Sequence, residues 1–176
     1  MIRKALTDDL SDIIQITQAC ARHMIGHGIF QWNEQYPSLA AFEKDLENDE
    51  LYVIEEKGEV KGAIVISTRM DDIYAPINWI AETSLNGYLH RLCVHPESQG
   101  KGYARQLLDY AEDLLKKQGC LSVRLDTFSK NLRNQRLYEA RGYKKRDDVY
   151  FLHKSPDPFH CYELVFKSNC TFGFNE

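Results

Sequence analysis

Residues 92–104, LCVHPESQGKGYA, decide the fold of this chain. An apolar run of strand-forming residues ends at Val94, a proline follows at Pro96, and a glycine turn, QGKGYA at 99–104, opens a long amphipathic pattern. This order predicts a strand, a tight turn and the N-terminus of a helix. The first turn of a helix leaves backbone N–H groups without acceptors and carries partial positive charge, and glycine lets a ligand approach the backbone closely. The stretch therefore predicts a binding site for an anion, best suited to a phosphate or pyrophosphate.

The composition is typical of one soluble globular domain. The chain has 176 residues, of which 43% are apolar and 27% are charged, and its net charge is −4. That charge disfavours nonspecific nucleic-acid binding, which needs a basic face. No run approaches the roughly 18 apolar residues of a membrane span, and the N-terminus, MIRKALTDDL, lacks the apolar core of a signal peptide. We expect a cytoplasmic protein without nucleic-acid or membrane partners, with one domain at 1–167 and a short tail at 168–176.

The five cysteines include no Cys-x-x-Cys pair. An odd count without that spacing argues against a disulfide framework and a zinc site, and favours small buried residues in a reducing compartment. His23 and His27 lie four residues apart and could face one metal ion on a helix, but Gly26 and Gly28 disfavour a sustained helix there. No metal site is therefore predicted.

Strand-like and helix-like segments alternate along the chain. Runs of β-branched and apolar residues predict strands at 2–6, 51–55, 60–68, 88–94, 121–127, 143–152 and 159–166. Apolar residues at helical spacing predict one helix after Thr7, a candidate N-cap, and others at 38–48, 103–118 and 131–140. The strand at 121–127 is expected to point Leu121, Val123 and Leu125 inward, and looser segments are expected at 23–37 and 71–84. This order predicts an α/β (α+β) fold in a single domain, with a mixed central sheet flanked by helices.

A second motif lies at 131–143 and reads NLRNQRLYEARGY. It is similar to the N-x-x-x-x-x-[LYF]-Y-x-x-x-G-[FY] element of GNAT-type N-acetyltransferases, and QGKGYA at 99–104 matches the Q/R-x-x-G-x-G/A element of the same superfamily. Both motifs occur in the family's order and at about its usual separation. The chain therefore resembles a GNAT-type N-acetyltransferase over residues 1 to about 167.

The resemblance implies a GNAT-like fold, in which the central strand parts from its neighbour as a splayed pair, and acetyl-CoA as the cofactor. Backbone groups of the splayed strand would pair with the pantetheine arm at Leu92, Cys93 and Val94. Asn131 would contact the pantetheine or phosphate arm, and Tyr138 would lie close to the thioester sulfur. The acceptor would be an amine of a small molecule or peptide, and homodimers are common in the family. The amides of the glycine turn would hold the pyrophosphate, which assigns cofactor binding to Gln99, Gly100, Lys101, Gly102, Tyr103 and Ala104.

Acyl transfer from a thioester to an amine sets three tasks. The amine must become neutral, which costs about 4–5 kcal/mol at pH 7 for an ammonium group with a pKa of about 10.4. His90 is the candidate base, because it lies on the splayed strand two residues before Leu92, where alternation places both side chains on one face. The backbone N–H of Val94 would stabilise the oxyanion, and Tyr138 would donate a proton to the departing sulfur.

Alternatives remain open for both catalytic candidates. His90 could be a hydrogen-bonded structural histidine, and Tyr138 also fits the buried stripe of its helix. Tyr88 and Glu82 are weaker candidates for the base. Members of the family often place a glutamate on the splayed strand, whereas this strand contains no carboxylate, which leaves the base open. A covalent role for Cys93 is disfavoured, because alternation points its thiol away from the face of His90.

Two hypotheses of different classes follow. The first is an acetyl-CoA-dependent N-acetyltransferase whose acceptor site is built by the aromatic segment 30–36 and the loop 71–84, with Asp71, Asp72 and Glu82 attracting a cationic amine. The second is a noncatalytic CoA-binding sensor that keeps the anion site without turnover. An unrelated nucleotide-binding protein is disfavoured, since the turn lacks the spacing and the Ser/Thr of a P-loop.

Overall fold

A computed structural model of the chain describes residues 1–151 and 155–167. Within that part of the chain it shows one seven-stranded sheet in the order β1-β2-β3-β4-β5-β7-β6. The strands are β1 (Ile2–Lys4), β2 (Leu51–Glu56), β3 (Glu59–Ser67), β4 (Gly87–Val94), β5 (Ser122–Phe128), β6 (Lys144–Val149) and β7 (Phe159–Val165). The helices are α1 (Leu10–Gly26), α2 (Leu39–Glu47), α3 (Tyr103–Lys117) and α4 (Leu132–Ala140). The predicted mixed α/β fold is confirmed, and the tail predicted at 168–176 lies outside the described residues.

The sheet is covered on both faces, which explains the continuous apolar runs of β2 and β3. Because side chains alternate along a strand, each central strand contributes to two cores. The α3-side core joins the apolar stripe of α3 to inward residues such as Ile64, Leu89 and Val123. The α1-side core joins α1 and α2 to the opposite positions, including Val53 and Val65. The two cores fix the sheet between its helical layers.

β4 and β5 form a parallel pair that soon separates. They pair only at Gly87 with Val123 and at Tyr88 with Arg124, although β4 continues to Val94. The remaining strand pairs of the sheet are antiparallel. The second half of β4 therefore keeps its pairing with β3 and has no β5 partner. The splayed strand pair that the resemblance implied is confirmed.

Three local predictions are wrong for identifiable reasons. Thr7 is not the N-cap, because residues 7–9 form a short 3₁₀ turn in which the Asp9 carboxylate accepts the backbone N–H of Leu6 at 2.7 Å. α1 runs on through Gly26, since a glycine at the last helical position leaves the preceding turns intact, so the looser region begins at His27 rather than His23. Leu121 precedes β5 and is 37% exposed instead of pointing inward.

A close approach of β3 and β4 depends on Gly62. A Cβ atom on this glycine would lie 2.4 Å from the carbonyl oxygen of Cys93 and 3.3 Å from the Cα of Val94. The N–H of His95 donates to the carbonyl of Lys61 at 3.0 Å, which makes Gly62 and Val94 a non-hydrogen-bonded pair of the ladder, the closer kind. The N–H of Val94 consequently points away from β3, toward the side on which β5 has separated.

We predict that Gly62→Ala lowers the free energy of unfolding by about 1–3 kcal/mol, because the new methyl group meets rigid backbone and must push the two strands apart. Urea-induced unfolding measures the change. Gly26→Ala is the control, since a Cβ there meets nothing within 4 Å. It should be neutral or stabilising by up to about 1 kcal/mol. Equal effects of the two substitutions would contradict this account of the strand contact.

Candidate active site

A cradle for an anion forms where β4 leads into α3. After β4 a short 3₁₀ turn at Pro96–Ser98 leads into the glycine turn, where φ is +79° at Gly100 and +87° at Gly102. These backbone angles suit glycine and strain any other residue. α3 then begins at Tyr103, so the amides of its first turn have no acceptor within the helix. The glycine turn and the helix N-terminus thus present backbone N–H groups to one surface cavity.

This cradle cavity has a volume of about 720 Å³, within the usual range for a cofactor site. Its floor includes Leu92 and Val94 of β4, and α4 contributes Asn134 and Leu137. No carboxylate lines it among the described residues, whereas four cations do: Lys101, Arg105, Arg133 and Arg136. Glycine backbone, helix N-terminus and surrounding cations together fit a pyrophosphate with an additional phosphate.

The structure brings together eight of the ten residues predicted to bind a cofactor and separates two. The eight that line the cradle cavity are Leu92, Val94, Gln99, Gly100, Lys101, Gly102, Tyr103 and Ala104. The Cys93 side chain is buried in the α1-side core, so this residue can offer the cradle only backbone groups. Asn131 caps α4, accepting the N–H of Asn134 at 3.2 Å, and donates to Gln31 at 2.8 Å. It lines a neighbouring cavity instead, so a contact with the pantetheine arm would have to replace its bond to Gln31.

A second, smaller cavity of about 100 Å³ adjoins the cradle. Leu92 lines both cavities, which places them on either side of this one residue of the splayed strand. His90 and Tyr138, the two predicted catalytic residues, both line the smaller cavity. The geometry therefore places an imidazole, a phenol and the end of the cradle together.

A bulge in β4 changes the faces on which its side chains lie. Arg91 has a φ of +52°, and the register with β3 shifts between Ala63 and Val65. Cys93 pairs with Ala63 and His90 pairs with Val65, so His90 and Cys93 lie on the same face of the sheet. Leu92 packs against the α3-side core on the other face. Two predictions are therefore wrong: that His90 shares a face with Leu92, and that Cys93 points away from the face of His90. The alternation of side chains between the two faces is interrupted at a bulge.

Burial sets the protonation states of the two predicted catalytic side chains. It lowers the pKa of His90 below the usual value of 6.5, because the charged imidazolium loses water. It raises the pKa of Tyr138 above its usual value, with a further contribution from the negative charge of Asp126. The imidazole is therefore neutral and the phenol protonated at neutral pH. Burial also raises the pKa of the Cys93 thiol, which leaves it a poor nucleophile.

Sequence reasoning missed one carboxylate at this site, Asp126. It lies on β5, lines the smaller cavity with Asp71, and accepts a hydrogen bond from the hydroxyl of Tyr74. The ring of Tyr74 stacks on the imidazole of His90, with centroids 6.3 Å apart and planes 10° apart. The signal in the sequence was the carboxylate within RLDTF at 124–128, because an acidic residue is unusual inside a strand whose neighbouring positions are buried.

The predicted acceptor residues divide between the cavity and the surface. Trp32 and Tyr36 line the smaller cavity, whereas Phe30 is 56% exposed.

The weaker candidates for the base lie elsewhere: Glu82 is exposed, and the Tyr88 hydroxyl accepts a hydrogen bond from Arg124 at 3.1 Å. The rings of His23 and His27 contact each other near the end of α1, tilted by 46° with centroids 4.6 Å apart. No group of three metal-ligating side chains converges among the described residues.

Comparison with known proteins identifies the family. The model of the Acetyltransferase (GNAT) family matches residues 10–143. N-alpha-acetyltransferase 30 of Saccharomyces cerevisiae is 30% identical over 89 residues, 49% of this chain and 50% of that protein. Aminoglycoside N(6')-acetyltransferase type 1 of Serratia marcescens is 30% identical over 74 residues, 42% of this chain and 51% of that protein. The chain spans about half the length of the curated relatives it matches.

Solved structures share the fold across nearly the whole chain. A putative acetyltransferase from Staphylococcus aureus Mu50 aligns with a TM-score of 0.74 and 29% identity, covering 95% of this chain and 99% of that one. A putative acetyltransferase from Salmonella typhimurium, solved with its cofactor acetyl-CoA, aligns with a TM-score of 0.66 and 22% identity, covering 97% and 95%. Among the described residues, no helix has the length and apolar character to cross a membrane. With its splayed strand, its glycine cradle and a family match over residues 10–143, the chain belongs to the GNAT family of acetyltransferases, whose cofactor is acetyl-CoA.

Proposed function

We propose that this protein transfers the acetyl group of acetyl-CoA to a primary amine of a small molecule or peptide, by direct attack in a complex that holds both. One observation carries the proposal: Leu92 joins the cationic cradle to a cavity lined by His90 and Tyr138. A noncatalytic CoA sensor would need the cradle alone. The adjoining cavity, with its neutral imidazole and protonated phenol, favours the enzyme.

The cradle residues would hold the phosphates and orient the cofactor along β4. The amides of Gly100 to Ala104 would donate to the pyrophosphate, and the cations around them would offset its charge. The edge of β4 beyond Tyr88 has no β5 partner, so the amides that point away from β3, including that of Val94, face the gap. When bound there, acetyl-CoA supplies an acetyl group already activated as a thioester. Val94 is then the residue whose N–H would donate to the acetyl carbonyl oxygen.

His90 and Tyr138 would move the two protons that the transfer requires. A neutral His90 can accept a proton from the acceptor amine, directly or through one water. A protonated Tyr138 can donate to the leaving sulfur, and burial keeps its proton in place until then. The second proton that leaves the acceptor nitrogen as the amide forms would restore the phenol. Both side chains line the smaller cavity, so neither needs a large movement to reach a substrate held there.

The acceptor would enter as a cation beside two carboxylates. Asp71 and Asp126 both line the smaller cavity, and opposite charge favours an ammonium group near them. The two curated relatives carry different names, an N-alpha-acetyltransferase and an aminoglycoside N(6')-acetyltransferase, so the acceptor class proposed here stays a primary amine. The four described cysteines are free and buried, which suits the reducing cytoplasm as the site of action.

A thiol-release assay tests the proposed function. Acetyl-CoA is incubated with the protein and a panel containing a short peptide with a free N-terminus, a polyamine and an aminoglycoside. Release of CoA that depends on one of these amines, with a matching mass gain of one acetyl group on the amine, supports acetyl transfer. Binding of CoA without turnover on any of them would favour the sensor instead.

The role of the glycine cradle in CoA binding can be tested by comparing Gly102 with a glycine outside the cradle that has a similar positive φ angle. Gly102 and Gly119 lie at the two ends of α3 with φ of +87° and +83°. Alanine at either position should cost about 1–2 kcal/mol of stability, because the left-handed conformation disfavours a Cβ. Only Gly102→Ala should weaken CoA binding, by about tenfold or more, since it disturbs the amides that face the cavity. Calorimetric Kd values measure the difference, and equal Kd values for the two variants would remove the cradle from the binding site.

Removing the phenol hydroxyl should affect turnover more than binding. Tyr138→Phe is expected to lower kcat by about 100-fold, because general acid assistance to the departing sulfur is lost. Its Kd for CoA should stay within about twofold of that of the unmodified protein. Tyr110→Phe is the matched control, since Tyr110 packs on Tyr52, away from both cavities. An unchanged kcat in the Tyr138 variant would exclude the acid role.

The pH dependence of kcat/KM reports on His90. Burial lowers the pKa of this imidazole, so protonation removes the base only as the pH falls below 6.5. The acidic limb of the profile should therefore have its midpoint below pH 6.5. His90→Ala should lower the rate by about 100-fold and abolish this limb, whereas His160→Ala should preserve it. A limb with the same midpoint in the His90 variant would assign the titration to another group.

A further inference from the structure

A fully buried ion pair lies in the middle of the sheet, outside both cavities. Arg124 on β5 and Glu163 on β7 are directly paired across the strands, and neither side chain has any exposed surface. The guanidinium Nε donates to Glu163 Oε1 at 3.0 Å, and the Ser122 hydroxyl lies 2.8 Å from the same oxygen. Removing both charges from water is costly, so such a pair is weak support for stability alone. The remaining hydrogen bonds of the two side chains indicate what else it does.

Those bonds reach the segment between β3 and β4. The backbone N–H groups of Ile80 and Ala81 donate to the Glu163 carboxylate. The Arg124 guanidinium donates in return to the carbonyl of Ala81 at 2.8 Å and lies over the ring of Trp79, 4.6 Å from its centroid. The ion pair therefore forms hydrogen bonds with both N–H groups and with one carbonyl group of the loop backbone at Ile80 and Ala81.

The same segment contributes one lining residue, Asp71, to the wall of the smaller cavity, and contacts a second, His90, through Tyr74. Trp79 Nε1 donates to the carbonyl of Tyr74 at 3.2 Å, and the two rings meet edge to face with centroids 5.8 Å apart. Tyr74 in turn stacks on His90 and donates to Asp126. Asp71, at the start of the segment, lines the cavity itself. Contacts thus run without a break from the buried ion pair to the side chains around the predicted base.

We propose that Arg124 and Glu163 are positioning residues that fasten the segment 71–86 to the sheet and so fix the part of the catalytic cavity's wall formed by Asp71 and His90. Apolar residues could fill the same space in the sheet, but they could not bind the loop backbone. The role of that wall in catalysis rests on the proposed function. The claim that the ion pair fastens the segment to the sheet does not.

Hydrogen exchange tests the fastening in the intact protein. The double variant Arg124→Met with Glu163→Leu removes both charges, so no unpaired charge is left in the core. Amides of the segment 71–86, those of Ile80 and Ala81 above all, should exchange about tenfold faster or more, whereas amides of α3 should keep their protection. The matched control is Arg141→Met with Glu112→Leu, which removes an ion pair on the α3 side, with Nε and Oε1 2.9 Å apart. This control should leave exchange in 71–86 unchanged, and unchanged exchange in the Arg124–Glu163 variant would overturn the proposal.

Trp79→Leu provides a second variant if the double substitution prevents folding. It removes the ring that joins Arg124 to Tyr74 and leaves the ion pair in place. Exchange should rise at 72–78, and protection retained there would overturn the proposal.

Kinetics separate positioning from a general structural role. With the best acceptor from the amine panel, the KM for acceptor should rise by about tenfold in the double variant, while the KM for acetyl-CoA stays within about twofold. Equal losses for both substrates would overturn the positioning role. If the unmodified protein acetylates no amine, the proposed function fails, and the exchange experiment still decides whether the pair fastens the segment.

Discussion

The site depends on the separation of β4 from β5 after Tyr88. A strand edge inside a sheet has N–H and C=O groups without partners, and leaving such groups unsatisfied is costly. Two sets of contacts hold β4 in place: it stays paired to β3 through Val94, and its bulge at Arg91 is tied to Asp45 of α2 by two hydrogen bonds of 2.8 and 2.6 Å. The open edge suits a ligand that carries its own amide groups, as the pantetheine arm does, because such a ligand can act as an added strand.

The two cavities that meet at this edge have opposite electrostatic character. Arginine and lysine side chains surround the cradle, and its lining includes no carboxylate among the described residues. The smaller cavity is lined by Asp71 and Asp126 and also by Arg91, whose charge is offset by its ion pair with Asp45, so it favours positive charge. This difference in charge supports the proposal that a polyanionic cofactor and a cationic amine bind at different ends of the site. The net charge of −4 shows none of this, because it averages two regions of opposite sign.

Local signals predicted the local structure, and long-range contacts account for what was missed. The glycine turn at 99–104 and the helices at 38–48 and 103–118 follow from a few adjacent residues, and each is present. The bulge at Arg91 depends on a partner 46 residues away in sequence, so strict alternation predicted the wrong face for His90. The burial of Arg124 depends on Glu163, 39 residues along the chain. A single charged residue in a strand does not show where its partner lies.

The absence of a carboxylate on β4 does not weaken the case for catalysis. Burial disfavours the charged form of any side chain, so it lowers the pKa of His90 and raises that of Tyr138. The same physical cause thus leaves a proton acceptor and a proton donor at neutral pH. Asp126 brings a carboxylate into the cavity from β5, across the gap from the strand where the family often places one. A protein that only bound CoA would need the cations of the cradle, and it would have no catalytic use for a buried imidazole and phenol beside that cradle.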